Sequence, residues 1–251
     1  MTTLQDALVR KLADLVRDAR RIAVLTGAGI STPSGIPDFR SSTGLYSDKR
    51  NANVFDIREF RRDPRGYYRF AREFYPLVAG AQPNAAHRLL AEWEQRGKDI
   101  RIATQNIDDL HQRAGSSRVY PVHGTILSST CQKCSGACET KVLVPQVLAG
   151  GVPTCDCGGV FKPDITFFGE ALAERAWNDA VDAMSGADLV MVLGTSLVVY
   201  PAASLPDHRP LSARLVIVNR DLTNLDYAAD VVSHGAVEEV LAVVDGALAR
   251  G

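Results

Sequence analysis

The sequence predicts an α/β protein, built on a doubly wound parallel sheet that carries a small inserted metal-binding module. Four short runs, Ile22–Leu25, Ile100–Ala103, Leu189–Leu193 and Leu215–Val218, are rich in Val, Ile or Leu and lack polar alternation. That pattern marks strands buried on both faces of a parallel sheet. Helical patterns separate the runs, and strand–helix alternation argues for a doubly wound sheet with a ligand crevice at the carboxyl ends of its strands. The insertion declares itself through cysteine. All five, Cys131, Cys134, Cys138, Cys155 and Cys157, fall in one window that interrupts the alternation.

Along the chain, residues 4–19 set Leu4, Leu8, Leu12, Leu15 and Val16 on one helical face with charges opposite, an amphipathic helix. The first strand and a glycine-rich turn follow. Residues 41–66 show little periodicity and several Arg, Asp and Asn, which suits a flexible loop region or a small helical insertion. Helices are expected over 67–79 and 84–96, then the second strand. After the cysteine window come a helix over 171–184, two strands, and a helix over 236–249 whose buried stripe is Val237, Val240, Leu241, Val244 and Leu248. The expected organisation is a large domain of residues 1–40, 67–123 and 163–251, a loop insertion at 41–66 and a metal module at 124–162.

A length of 251 residues suits one large domain with a smaller insertion, and 46% hydrophobic residues can bury a substantial core, which argues against general disorder. The formal net charge of −1 gives no electrostatic reason to expect a nucleic-acid partner. The opening MTTLQDALVRKLADLVRDARR alternates charges with leucines, unlike a secretory signal peptide. No apolar run approaches the ~20 residues that span a bilayer. A cytoplasmic protein with no membrane partner is expected, and in that reducing setting clustered cysteines point to metal rather than disulfides.

In the module, CQKC (Cys131, Cys134) is followed by CDC (Cys155, Cys157) and Gly158-Gly159. Paired thiolates on tight turns close a tetrahedral zinc site, and four sulfurs leave no open position for water, so such a zinc is structural. The second knuckle is one residue shorter than the usual C-x-x-C. Either Cys138 replaces one ligand or the site is distorted.

The turn Gly27-Ala28-Gly29 follows the first strand but departs from the dinucleotide fingerprint, with Thr32 where a third glycine belongs. Pro33, Gly35 and Pro37 then prevent an immediate helix. The turn either brings backbone N–H groups to a pyrophosphate or is a structural tight turn. Asp38-Phe39-Arg40 adds a cation for phosphate and a ring to cover a sugar or heterocycle. Gln105, Asn106 and Asp108 stand at the carboxyl end of the second strand, as ligand groups or helix caps. His123 is a candidate base near its working pKa, or a structural histidine. Thr195, Ser196 and Asn219, after the two late strands, can serve phosphate and ribose or simple capping.

Taken together, GAGIS (27–31), GIPDFR (35–40), TQNID (104–108), HG (123–124), FFGE (167–170) and GTSLVVYPA (194–202) occur in this order around the paired cysteines. The sequence closely resembles the sirtuins, NAD-dependent protein lysine deacylases with a Rossmann-like large domain, over nearly the whole chain, and is most similar to the compact bacterial members grouped as class U. The resemblance implies that the irregular segment after the glycine turn is a loop that orders over NAD. It puts the adenine half over Thr195, Ser196, Asn219, Arg220 and Asp230. Ala28, Thr32 and Arg40 meet the phosphates and nearby ribose, with Phe39 close to the reacting sugar and Asp38 also among the cofactor-binding residues. Gln105 and Asn106 contact the nicotinamide ribose, and Ile107 and Asp108 hold the carboxamide. An acetylated lysine peptide would pair by strand addition near Phe168-Gly169-Glu170 and Val198-Val199.

The implied reaction consumes NAD as a co-substrate, without hydride transfer. The acyl oxygen attacks the nicotinamide ribose, nicotinamide leaves, and His123 acts as general base on the ribose hydroxyls, with Asn106 and Asp108 as further catalytic residues. The products are free lysine and O-acetyl-ADP-ribose. A mono-ADP-ribosyltransferase and a non-catalytic NAD-sensing or peptide-binding module are the rival readings. Family members that prefer succinyl or malonyl lysine resemble one another in a Tyr-x-x-Arg pair, and the spacing from Pro83 sets Ala71 and Phe74 there. An apolar pair favours a neutral acetyl group.

Overall fold

The computed structural model describes residues 3–39, 41 and 44–250. In chain order the regular elements are α1 (Thr3–Asp18), β1 (Arg21–Thr26), α2 (Ile57–Arg62), α3 (Arg65–Gly80), α4 (Ala85–Gln95), β2 (Asp99–Thr104), α5 (Leu110–Arg113) and β3 (Val119–Pro121). They continue with β4 (Gly124–Cys131), β5 (Ala137–Glu139), α6 (Thr140–Leu148), β6 (Phe161–Ile165) and α7 (Glu174–Ser185). The chain closes with β7 (Leu189–Leu193), β8 (Arg214–Val218), β9 (Val231–Ser233) and α8 (Val237–Leu248).

The main sheet has the order β3-β2-β1-β7-β8-β9 and every pairing in it is parallel. The chain winds outward from β1 to β3, then returns to β7 on the other side of β1. The carboxyl ends of β1 and β7 therefore flank the topological switch point, where such sheets open a crevice. Alternation along each strand feeds two cores. Ile22 and Val24 of β1 face a layer with Leu12, Val16, Leu90, Trp93, Leu241 and Val244 from α1, α4 and α8. Ala23 and Leu25 face Ala180, Ala183 and Met184 of α7. Of the expected α1 stripe, Leu12 and Val16 are buried and Leu8 and Leu15 partly so, while the side chain of Leu4 lies outside the described residues.

The four strands read from apolar runs are β1, β2, β7 and β8. β3 and β9, three residues each at the sheet edges, are too short to show a period. The cysteine window folds into an antiparallel sheet of order β5-β4-β6. Beside it, residues 45–62 hold two 3-10 turns (Leu45–Ser47 and Lys49–Asn51) and α2, which the Asp56 side chain caps by accepting from the Arg58 N–H at 2.8 Å. A third, aromatic-rich core with Phe55, Phe60, Tyr67, Phe70, Phe74 and Phe167 joins this region to α3 and β6. Among the described residues no helix is long and apolar enough to cross a membrane.

Candidate active site

The switch point is closed by glycines. After β1, the Gly29 N–H donates to the Gly194 carbonyl at 2.9 Å, and Gly27 N–H to Leu193 at 3.2 Å. A Cβ on Gly27 would stand 2.6 Å from Thr195 Cβ, and one on Gly29 2.8 Å from the Gly194 oxygen. Gly194 itself has φ +64°, and a Cβ there would stand 2.5 Å from Ile30 N. So these glycines let the loops after β1 and β7 pack backbone to backbone, whatever else they admit. Two short 3-10 turns, Ala28–Ile30 and Thr32–Ser34, follow, with Pro33 early in the second and Gly35 ending it at φ +88°. The punctuation read in the sequence thus produces a compact irregular loop rather than a helix.

Under this loop runs a buried polar network. The Asn106 amide donates to Gly27 O and to Ser31 Oγ, both at 3.1 Å. The Ser31 hydroxyl donates to Asp108 at 2.7 Å, and the other Asp108 oxygen accepts the Leu110 N–H at 3.1 Å. Burial raises the pKa of the Asp108 carboxyl, against the opposing pull of Ser31. Gln105 bridges to the other side of the crevice, donating to Thr195 Oγ1 at 3.0 Å. Its carbonyl lies 3.0 Å from His123 Nδ1. A carbonyl only accepts, so Nδ1 carries the proton and Nε2 is the basic nitrogen of the neutral ring. Burial lowers the His123 pKa, with the Gln105 carbonyl acting in the opposite sense, which keeps the ring neutral and available as a base at pH 7.

Two neighbouring cavities of about 320 Å³ each occupy the crevice and share Gly29, Asp38, Ser41, Gly194, Asn219 and Asp221 along their walls. The pair forms one elongated cleft, suited to an extended two-ended ligand. Ala28, Phe39, Gln105, Asn106, Ile107, His123, Thr195, Ser196, Phe168, Gly169, Glu170 and Val199 line the first cavity, with Asp38 and Asn219 in both. Thr32 and Arg220 line the second. Asp108 stands behind Asn106 rather than on the wall. Val198, 52% exposed, is outside the lining of both cavities. Asp230 is not brought to the cleft, because its carboxylate accepts from the Leu215 N–H at 2.9 Å and from Arg214 at 2.8 Å. Arg40 lies outside the described residues.

The far wall is the turn after β6. The Phe168 N–H donates to Phe55 O at 2.7 Å and Phe168 O accepts from Ile57 at 3.1 Å. Lys162, only 6% exposed, holds this turn from beneath. Its ammonium meets Glu170 at 2.9 Å, donates to Ile165 O at 2.7 Å and lies 4.2 Å from the centre of the Phe167 ring. Neither Lys162 nor the linking role of Ser31 is legible in the sequence, since FKPDI has no alternation to mark its lysine as buried. Ala71 and Phe74 are buried in the aromatic core, with Phe74 stacked on Phe70 at 5.0 Å. The apolar wall at that end of the cleft is instead Phe55, Ile107, Ile165 and Phe167. Arg69 and Arg72 are exposed.

In the smaller sheet the Sγ atoms of Cys131, Cys134, Cys155 and Cys157 lie within 4.8 Å of one another, with Cys131–Cys157 at 3.5 Å and Cys134–Cys155 at 3.7 Å. Tetrahedral Zn–S bonds of ~2.3 Å imply S···S edges near ~3.8 Å, so the set fits zinc despite the short knuckle. Gly158, at φ +79°, makes the tight turn possible, and a Cβ on Gly159 would stand 2.5 Å from Cys131 Sγ. The N–H groups of Cys134 and Lys133 push the Cys131 thiol down to about 6, toward the thiolate a metal needs. Cys138 belongs to β5 and is not one of the four, and burial raises its pKa.

Residues 27–201 match the Sir2 family model. The chain is 45% identical to the NAD-dependent protein deacetylase of Thermotoga maritima over 233 residues, 89% of this chain and 94% of that one. It is 39% identical to the NAD-dependent protein deacetylase of Clostridium perfringens over 247 residues, 95% and 99% of the two chains. Among solved structures, it superposes on a Sir2–p53 peptide–NAD+ complex with TM-score 0.88 at 42% identity, covering 96% of this chain and 98% of the other. Sir2Tm bound to a propionylated peptide gives TM-score 0.87 at 42% identity, with 96% and 99% covered.

Proposed function

The chain belongs to the Sir2 family, and from that premise we propose that it is an NAD-dependent protein lysine deacetylase. It consumes NAD and yields nicotinamide, O-acetyl-ADP-ribose and free lysine. The observation that carries this reading is the convergence of Asn106 and a neutral His123 on one elongated cleft at the switch point. NAD supplies the activated ribose that accepts the acetyl oxygen. The chain's residues do the rest.

His123, its Nδ1 proton held by the Gln105 carbonyl, uses Nε2 to take a proton from a ribose hydroxyl. Asn106, fixed by Gly27 and Ser31, orients the nicotinamide ribose, and Asp108 behind it fixes the carboxamide side through Ser31 and the loop. Because Asp108 stands behind Asn106, off the cleft wall, with its oxygens bonded to Ser31 and the Leu110 N–H, it positions its neighbours and does not reach the ribose as a base. Phe39, against Phe55 and Tyr46, closes over the reacting sugar and excludes water. Thr195, Ser196, Asn219 and Arg220 receive the adenine half. The acetyl-lysine segment of a substrate protein adds as a strand between the Phe168–Glu170 turn and Val199, where backbone pairing tolerates many sequences. Zinc on the four cysteines fixes the smaller sheet that forms one side of this groove. The site of action is the cytoplasm, in keeping with a metal centre built wholly of thiolates.

Replacing His123 by alanine tests the assignment. Turnover of an acetyl-lysine peptide should fall by orders of magnitude with zinc content and fold unchanged, and near-normal turnover would remove the proposed role.

A further inference from the structure

The fold buries two histidines that the proposed chemistry does not use. His87, in the first turn of α4, is 0% exposed, and His111, on α5, is 1% exposed. Their ring centroids are 4.8 Å apart at an interplanar angle of 61°. Each ring has one nitrogen in a hydrogen bond and one buried without a partner: Nε2 of His87 and Nδ1 of His111. An unsatisfied buried polar atom is costly, so two on adjacent rings require an explanation.

The surrounding donors fix which nitrogen carries each proton. The Asn84 backbone N–H donates to His87 Nδ1 at 3.3 Å, so a neutral His87 has its proton on Nε2. The Thr26 hydroxyl donates to Thr104 Oγ1 at 2.8 Å. With its proton committed, Thr26 Oγ1 accepts from His111 Nε2, 3.1 Å away. His111 then carries its proton on Nε2 and leaves Nδ1 bare. One orphan is a donor and the other an acceptor. Burial pushes His87 down to about 4 and His111 well below the ordinary histidine range, so both rings are neutral at pH 7.

We infer that His87 and His111 form a buried imidazole pair, matched donor to acceptor across the gap between their rings, which positions Asn106 for NAD. The inference rests on reading the cleft as an NAD site. At one end, Asn84 donates its side-chain amide to Ile30 O at 2.7 Å and to Ser34 Oγ at 2.9 Å, gripping the loop after β1. At the other, Thr104 Oγ1 accepts the Asn106 N–H at 3.1 Å. The histidine pair therefore links Asn84, which grips the 28–34 loop, to Thr104: donation runs from the Asn84 N–H through His87, His111 and Thr26 to Thr104 Oγ1, which also accepts the Asn106 N–H. His87 and His111 are positioning residues, acting on NAD only through Asn106 and the loop.

Long-range 1H–15N correlation spectra of the zinc-loaded, 15N-labelled chain at pH 7 test the pairing. Both rings should be neutral Nε2–H tautomers, and an Nδ1–H tautomer or a charged ring at either position would overturn it. The positioning role is read from kinetics. His111→Leu should raise the KM for NAD about tenfold, the effect of one lost ordering hydrogen bond, with the KM for acetyl peptide and the zinc content unchanged. His111→Gln, whose amide can still donate to Thr26, should recover most of the loss. A leucine variant that shifts both KM values equally, or neither, contradicts the role. Should that variant not fold, the tautomers decide alone. Absence of any NAD-dependent turnover in the unaltered protein would sink the reading of the cleft, while leaving the tautomer result to stand or fall by itself.

Discussion

Replacing Gly29 by alanine separates the two roles a glycine turn can have. The added Cβ would stand 2.8 Å from the Gly194 oxygen and 2.9 Å from its Cα, against backbone that has no flexible end to yield. The loops after β1 and β7 must part by several tenths of an ångström, stretching the 2.9 Å Gly29–Gly194 hydrogen bond. Overpacking of this kind costs about 1–3 kcal/mol and a weakened hydrogen bond about 1 kcal/mol, together roughly 2–4 kcal/mol. At about 2–4 °C per kcal/mol for a chain of this size, the Tm should fall by roughly 5–15 °C. The same displacement moves Ala28 and the groups Asn106 holds, so the KM for NAD should rise tenfold or more, on the order expected of a misplaced site. Gly66→Ala is the control. A Cβ there meets nothing within 4 Å, and in α3 alanine should be neutral or stabilise by about 0.5–1 kcal/mol. Thermal unfolding and NAD-dependence of turnover, measured on both variants, are the assays. A Gly29→Ala protein with unaltered Tm and KM would show that the glycine contact carries no weight.

Stability should also respond to pH through His87. The folded ring titrates at about 4 and an unfolded one near ~6.5, so between these values the unfolded chain binds a proton that the folded one does not. Stability is then full above about 6.5 and falls by about 3 kcal/mol as pH drops to 4. Urea midpoints across this window should show the fall, and His87→Gln should make it shallower while His111, also held well below the ordinary histidine range by burial, keeps its own share; an identical slope in that variant would refute the assignment. Asp108, whose pKa is raised, works in the opposite direction and is common to both proteins. Cys157→Ser should lose the zinc and unfold β4–β6, since thiolate binding contributes on the order of 10 kcal/mol, whereas Cys138→Ser should retain one zinc per chain by metal analysis. On matched peptides, kcat/KM for acetyl-lysine should exceed that for succinyl-lysine by about a hundredfold, because an unpaired carboxylate against Phe55, Ile107, Ile165 and Phe167 is costly. A succinyl preference would contradict the apolar wall.

How much of this was legible beforehand follows from what leaves a trace in a linear pattern. The central strands β1, β2, β7 and β8 are buried on both faces and so appear as apolar runs, and the long helices carry their stripes. β3 and β9 are three residues each and leave no period. Asn106, His123 and the glycines sit at strand ends, where polar and glycine residues stand out after an apolar run. Asp230 was expected at the cleft, but Arg214 and the Leu215 N–H already occupy its carboxylate, a competition that only the fold reveals. The acyl-pocket register failed for a related reason. Spacing located Ala71 and Phe74 on α3 but could not show that both pack into the aromatic core with Phe55, which alone of the three lines the cleft. Lys162 and the pair His87–His111 owe their importance to burial beside partners distant in sequence, which periodicity does not encode. The short CDC knuckle left the ligand set open, and Gly158-Gly159 close it on the paired cysteines.

The fate of the acetyl group is the most direct test of the function. An acetyl-lysine peptide should be incubated with the purified protein, with and without NAD, and every product followed by mass spectrometry. The expected result is peptide lacking its acetyl group only where NAD is present, with one nicotinamide and one O-acetyl-ADP-ribose formed for each peptide processed. Peptide or protein carrying ADP-ribose with the acetyl group retained would identify a mono-ADP-ribosyltransferase instead, and an unchanged peptide with unconsumed NAD would contradict an enzymatic role for the cleft.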